Sequence, residues 1–372
     1  MFLLPAMLVQ VACHFSLKLP TLMKIAQVAP VFERVPPKAY GGTERVISYL
    51  TEELVRQGHE VTLFASGDSI TRARLLSAME QSRRFDARDH EWLMYQTIAM
   101  DQVNSLATEF DVIHFHTDYL HFPLTRKLAV PHVTTLHGRL DLPQLVPLYR
   151  HFHDIPLVSI SESQRLPLPG ANWRATVHHG LPSDLYEFHP QSEGYFAFVG
   201  RISPEKRVDR AIEIAVRCER PLYIAAKVDK ADEPYFNEQI KARLNHPLIE
   251  YIGEIGDQEK QRLIGNAAAL LFPIDWPEPF GIVMIESFAC GTPVIAYRHG
   301  SIPEILRHRA TGFAVSNQEE AIAAATCIGE IDREVCRKEF EHRFTAKHMA
   351  DNYLRVYQQV QQDYESAGRR IQ

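Results

Sequence analysis

Short, uninterrupted apolar runs alternate with amphipathic stretches along most of the chain, and this alternation restricts the fold more than any other feature. The first runs are Ile25–Ala29, Val61–Ala65, Val112–Phe115, His132–Leu136 and Leu157–Ile160. They lack the in-out alternation of a half-exposed strand, which is the signature of parallel strands covered on both faces. Between them lie stretches such as Thr43–Gln57, where Val46, Leu50 and Leu54 recur at helical spacing. Repeated βαβ units of this kind predict a doubly wound α/β sheet.

The series ends around Gly180-Leu181-Pro182 and the polar His189–Gly194 stretch, and then restarts. A second set of strand candidates runs through Tyr195–Gly200, Leu222–Ala226, Ile249–Ile252, Ala269–Pro273 and Pro293–Ala296. The economical reading is two Rossmann-like domains, 23–185 and 186–349, facing across a deep cleft. The helical pattern Ala346–Tyr364 has no strand after it, so the segment 350–372 is expected to pack back on the first domain. Residues 1–22 read as an N-terminal extension: Phe2–Ala12 is apolar, but no positive residue precedes it and the cleavage pattern is poor. In open sheets of this type ligands bind at the carboxyl ends of the strands, here pointing into the cleft.

A net charge of -6 argues against a nucleic-acid partner. An anionic ligand must then be held by local positive groups rather than by an overall field. Cys13, Cys218, Cys290, Cys327 and Cys336 are dispersed and form no C-x-x-C pair, as for reduced thiols in a cytoplasmic protein. Beyond the N-terminal segment no run of about eighteen apolar residues suggests a membrane span.

Three segments carry the chemistry. Ala39-Tyr40-Gly41-Gly42-Thr43-Glu44 joins the first strand to the first helix; its glycines permit close backbone approach and the helix end offers amides to an anion, although a plain turn with Thr43 as N-cap reads the same way. Gly200-Arg201-Ile202-Ser203-Pro204-Glu205-Lys206 closes the first strand of the second domain. Ser203 is expected to cap a helix with Pro204 at its first position, leaving Arg201 and Lys206 at the cleft mouth. A diphosphate leaving group, whose charge grows as its bond breaks, suits that pair; solvated surface charge is the bland alternative. The third segment runs Pro277-Glu278-Pro279-Phe280-Gly281-Ile282-Val283-Met284-Ile285-Glu286. Its prolines put Glu278 in a loop, while Glu286 falls inside a helix beginning near Gly281. Amides from Phe280 to Val283 would be free for phosphate, and the carboxylates suit sugar hydroxyls.

With these segments in hand, the chain from Met23 to Tyr364 resembles the family 4 retaining glycosyltransferases of the GT-B fold. The resemblance implies that Glu286 binds the ribose hydroxyls and Glu278 the transferred sugar. It also implies that Arg201 and Lys206 stabilise the diphosphate while the Gly41-Gly42 loop approaches it. His137, in Thr135-Leu136-His137-Gly138, matches the family's active-site histidine position; His114, His116, His178 and His179 are read as structural first and cleft residues second. The sequence departs from many relatives after the second strand of the donor domain, where Ala225-Ala226-Lys227-Val228-Asp229 replaces a glycine-rich turn, and Lys227 is expected to add a positive contact. It also has His179-Gly180 where relatives often show Asn-Gly.

The chain contains no D-x-D, so no metal or other cofactor is expected. The resulting expectation is a retaining hexosyltransferase, with UDP-glucose the favoured donor and a saccharide or lipid-linked acceptor, serving polysaccharide biosynthesis. Peripheral membrane contact would fall to Arg72, Arg74, Arg83, Arg84 and Arg88, yet Glu80, Asp86, Asp89 and Glu91 interleave with them, which favours a mixed solvated surface. The alternatives are a nucleotide-sugar epimerase or phosphorylase on the same fold, or an inactive sugar-nucleotide binding protein.

Overall fold

A computed structural model describes residues 22–38, 41–82 and 91–371. The extension up to residue 21, Cys13, Ala39, Tyr40, Arg83, Arg84, Asp86, Arg88 and Asp89 lie outside the described residues.

Thirteen strands are present among the described residues, and they divide between two wholly parallel sheets. The first contains β1 (Lys24–Val28), β2 (Glu60–Phe64), β3 (Arg74–Leu76), β4 (Val112–Phe115), β5 (His132–Thr135), β6 (Leu157–Ser159) and β7 (Trp173–Thr176), ordered β3-β2-β1-β4-β5-β6-β7. The second contains β8 (Phe196–Arg201), β9 (Leu222–Lys227), β10 (Ile249–Gly253), β11 (Ala269–Phe272), β12 (Val294–Tyr297) and β13 (Gly312–Val315), ordered β10-β9-β8-β11-β12-β13. Each order reverses beside its first strand, at β1/β4 and β8/β11, and such a switch point opens a crevice at the strands' carboxyl ends. The cleft-facing segments Gly41–Thr43 and Arg201–Lys206 follow β1 and β8 respectively.

The apolar runs are buried for the reason their sequences suggest. Every residue of β4 and β11 is buried, because helices cover both faces of each sheet. The Gly42–Arg56 helix seats Val46, Leu50 and Leu54 on Ile25, Val61 and Val112. Met349, Tyr353, Val356, Tyr357 and Val360 of the Ala346–Ile371 helix join the same cluster. The last helix thus packs on the first sheet, and it reaches seven residues beyond the Tyr364 end read from the sequence. The second domain has its own core around Phe196, Phe198, Ile224, Leu270, Ile285 and Phe288.

The backbone crosses between the domains twice, and the crossings are bonded to each other. The Leu181 amide donates to the Phe344 carbonyl at 2.9 Å, and the Ala346 amide donates to Leu181 O at 2.6 Å. Gly180 is obligatory there: a Cβ would stand 2.2 Å from the Thr345 carbonyl oxygen.

Two helix starts differ from the sequence reading. The first helix begins at Gly42 with Gly41, not Thr43, as N-cap; a Cβ at Gly41 would stand 2.8 Å from Pro37 Cβ. Ser203-Pro204 does not open a helix. Residues 203–206 form a turn in which the Lys206 amide donates to Ser203 O at 3.1 Å; Arg207 then adopts a left-handed conformation, and the helix starts at Val208. The Asp275 amide binds Glu205 O at 2.8 Å, which ties this turn to the loop carrying Glu278.

Surface arginines pair with partners other than those adjacent in sequence: Arg72 with Glu52 at 2.9 Å and Arg74 with Glu109 at 3.4 Å. Among the described residues no helix is long and apolar enough to cross a membrane.

Candidate active site

Loops from both sheets line an open cavity of about 1070 Å³, with Gly41, Gly42, His137, Arg201, Lys206, Glu278, Phe280, Gly281 and Ile282 among the lining residues. It adjoins a second cavity of about 710 Å³, lined by Lys227, Val283 and Glu286, and the two share Gly41, Gly42 and Ile282. All of the sequence-predicted site residues therefore lie along one continuous groove between the domains.

Glu278 sits in the loop and Glu286 in the Ile282–Ala289 helix. Gly281 precedes that helix at φ 77, in the left-handed region where its missing Cβ avoids strain. The first amides of the helix have no carbonyl within it to bind, and Ile282 and Val283 line the groove.

Lys206 Nζ contacts Glu278 Oε2 at 2.5 Å, and Trp276 Nε1 donates to the same oxygen at 2.8 Å. The Trp276 ring also lies 5.2 Å from the ammonium, an aromatic face suited to a cation. One carboxylate thus locates the lysine while its own position is fixed from the other side. Arg201 is more heavily compensated, with Glu205 at 2.5 Å, Asp229 at 3.4 Å and Asp232 at 3.5 Å. Lys227 pairs with Asp229 at 2.7 Å. Three acidic residues thus share two cations at the end of the β8–β9 pair, while Lys206 pairs with Glu278.

Glu286 is 2% exposed, and a carboxylate so deep requires partners. Lys260 Nζ lies 2.6 Å from its Oε1, and Tyr186 donates its hydroxyl at 3.1 Å. Burial, with Glu286 next to it, holds the Tyr186 hydroxyl well above the ordinary phenol range, so it stays a donor. Lys260 also reaches Asp257 at 3.2 Å, and Asp257 takes Arg45 of the first domain at 2.6 Å. Burial works against the Arg45 cation, but Asp257 and the neighbouring Tyr49 keep its pKa above the usual arginine value. Burial pushes the Tyr49 phenol up to about 12.

On the first-domain side, burial drives the His137 imidazole down to about 3, so it is neutral at physiological pH and can only donate or accept a hydrogen bond. Its Nε2 meets His116 Nδ1 at 2.8 Å, and its ring stacks at 5.4 Å on His179, which in turn lies 4.7 Å from Phe280. His179 lines the groove, His116 supports His137 from beneath, and His114 lies deeper in the first domain. His178 pairs instead with Glu304 at 3.5 Å.

Sequence reasoning missed Lys260, Tyr186, Arg45, Asp257 and Trp276. Lys260 belongs to a polar helix, Asp257–Asn266, and nothing in its spacing marks it off from a surface lysine. Trp276, two residues before Glu278, had the better signal: an aromatic beside a loop carboxylate. Among the described residues no cluster of three His, Cys, Asp or Glu side chains is arranged to hold a metal ion.

Comparison with known proteins agrees with this fold. The model described as Glycosyl transferases group 1 matches residues 187–338, and that described as Glycosyltransferase Family 4 matches residues 40–174. An uncharacterized glycosyltransferase of Methanocaldococcus jannaschii is 24% identical over 340 residues, covering 79% of this chain and 85% of that protein. Alpha-maltose-1-phosphate synthase of Mycolicibacterium smegmatis is 28% identical over 396 residues, covering 90% and 99%. Among solved structures, Anabaena HepE in complex with UDP and glucose superposes with a TM-score of 0.70 at 16% identity, over 91% of this chain and 100% of that one. Two parallel α/β domains around a common groove, with both domain models matched in order, lead to one conclusion: the chain belongs to the group 1, family 4 glycosyltransferases and has the GT-B fold.

Proposed function

We propose that the chain is a retaining, metal-independent hexosyltransferase that moves glucose from UDP-glucose to a saccharide or lipid-linked acceptor in polysaccharide synthesis. The observation that carries this reading is the convergence of Gly42, His137, Arg201, Lys206, Glu278 and the Gly281 helix start on one cavity. The adjoining cavity, with Glu286 at its edge, takes the nucleoside, and the Glu286 carboxylate accepts from the ribose hydroxyls. Its walls at Val199, Ala225, Ala226 and Ile255 are apolar, as a flat base requires. The complex of HepE with UDP and glucose supports the choice of donor.

In the reaction the acceptor hydroxyl attacks the anomeric carbon on the face from which the diphosphate leaves. The new C–O bond forms as the C–O bond to phosphate breaks, and the leaving phosphoryl oxygen takes the acceptor proton. Lys206 and Arg201, with the first amides of the Ile282–Ala289 helix, offset the charge that develops on the diphosphate. Glu278 accepts from a sugar hydroxyl while holding Lys206. The free thiols at Cys218, Cys290, Cys327 and Cys336 support a cytoplasmic site of action, and a lipid-linked acceptor would bring the enzyme to the inner membrane face.

The test is a thermal-shift panel of UDP, GDP, ADP and their glucose and mannose conjugates, with and without EDTA. Stabilisation by UDP and UDP-glucose that persists in EDTA is the expected result. No shift with any nucleotide, or a shift abolished by EDTA, would refute the donor assignment.

A further inference from the structure

A single chain of hydrogen bonds runs from His137 in the groove to the last helix. His137 Nε2 meets His116 Nδ1 at 2.8 Å, and His116 Nε2 meets the Gln27 amide oxygen at 2.8 Å. The Gln27 amide nitrogen donates to the Tyr357 hydroxyl at 2.9 Å, and that hydroxyl lies 2.7 Å from His114 Nδ1. His114 Nε2 continues to Thr135 Oγ1 at 2.7 Å, which reaches the Tyr353 hydroxyl at 3.0 Å. Gln27, His114 and Tyr357 are completely buried, and His116 nearly so.

The Gln27 amide, with its oxygen toward His116 and its nitrogen toward Tyr357, gives the chain its direction. Burial holds His114, His116 and His137 well below the ordinary histidine range, so each ring carries one proton. The Gln27 oxygen can only accept, so His116 must carry its proton on Nε2 and leave Nδ1 bare. His137 then has to donate from Nε2, and its own Nδ1 is a bare acceptor. That Nδ1 is buried and has no hydrogen-bond partner among the described residues, and the ring lines the groove. On the far side the Tyr357 hydroxyl accepts from Gln27 and donates to His114 Nδ1. Turning the Gln27 amide over would reverse every bond in the series and put a proton on His137 Nδ1.

We propose that Gln27 and Tyr357 are positioning residues: through the buried hydrogen-bond chain they set the proton arrangement of His137 so that it presents a bare Nδ1 to a hydroxyl of the bound donor sugar or acceptor. The proposal rests on the placement of His137 in the donor site. It adds that the last helix, 330 residues away in sequence from Gln27, determines what that histidine offers to the substrate. A bare Nδ1 selects a ligand hydroxyl that donates and disfavours one that presents only an acceptor, such as an O-methyl ether.

Histidine-labelled full chain read by ring 15N NMR tests this without substrate, so its outcome is independent of the donor assignment. In the wild type, His137 should show a protonated Nε2 and a bare Nδ1; His137→Gln identifies its signals. Tyr357→Phe and Gln27→Met each break the chain without removing a packed side chain. In both, the His137 signals should move to an averaged or reversed pattern. Turnover of the donor, including its slow hydrolysis, should fall in proportion to the lost tautomer with KM little changed, about twofold for an averaged pattern and about tenfold or more for a reversed one. A wild-type His137 protonated at Nδ1 would overturn the proposal. So would an unchanged His137 pattern in folded Tyr357→Phe and Gln27→Met.

Discussion

Replacing Lys206 by Met removes a positive charge while keeping an apolar stem beside Phe272 and Trp276, over whose rings the ammonium lies at 5.5 and 5.2 Å. As the glycosidic bond breaks, the diphosphate gains about one unit of negative charge. A cation about 4 Å from it contributes roughly 4 kcal/mol at the effective dielectric of such a site. Loss of one preorganised donor to a developing oxyanion costs about 2.7–4 kcal/mol in other enzymes, a similar figure. The expected loss in kcat/KM is therefore about 10²–10³-fold. Stability changes less, because Glu278 keeps its 2.8 Å bond from Trp276; the orphaned carboxylate costs roughly 1–3 kcal/mol. The assay is nucleotide release from the donor that the thermal-shift panel identifies, at a temperature where both proteins are folded. The double variant Lys206→Met/Glu278→Gln separates two causes. If the defect arose from the orphaned carboxylate distorting its loop, the double variant would recover to the activity of Glu278→Gln alone, which already carries any loss of the sugar contact; a lost cation predicts no such recovery. Retention of more than a tenth of wild-type turnover by the single variant, or recovery in the double, would refute the reasoning.

Glu286→Ala should weaken nucleotide binding about 10–100-fold by calorimetry, the scale of one or two charged hydrogen bonds, and an unchanged Kd would remove Glu286 from the site. Gly281→Ala puts a Cβ 3.0 Å from Met284 Cε at φ 77 and should cost about 1–2 kcal/mol in thermal denaturation. Gly180→Ala should cost more, because it meets backbone that cannot swing aside; the opposite order would count against the bonded crossing. Glu304 accepts from the Glu162 and Ser163 amides at 2.7 Å, joining the second domain to the first. Burial opposes its ionisation, yet these amides and His178 hold its carboxyl below the ordinary value. Its stabilising contribution is therefore full above the unfolded pKa of about 4.3 and disappears as pH falls through the lower folded value. Melting temperatures from pH 7 to 3 should show wild type and Glu304→Gln converging at the acid end, and a constant gap would contradict this account.

The central strands were legible because burial on both faces leaves an unmistakable apolar run. β3, β7 and β13 were not: β3 and β7 are short, partly exposed edge strands, and β13 opens on Gly312 with only three apolar residues behind it. Glu278 in a loop and Glu286 in a helix followed from the prolines and Gly281, whose effects are local. Ser203-Pro204 misled because a cap signal is also a turn signal, and contact with the Asp275 segment decided between them. Lys260, Arg45 and the Gln27–Tyr357 pairing depend on approach between distant segments, for which one sequence carries no local mark.

The last helix also dictates an order of manufacture. β1 and the Gly42–Arg56 helix leave the ribosome early, yet part of the surface they bury is supplied by Tyr353, Val356 and Tyr357. Until those residues are synthesised, the first domain displays an apolar strip that only a chaperone or a neighbouring chain can shield. The second domain, whose core draws almost entirely on residues between Ile160 and Phe344, can close before that. Vectorial synthesis thus completes the halves in reverse order, and a nascent chain stalled before the final helix is a candidate for aggregation through its first half rather than its second.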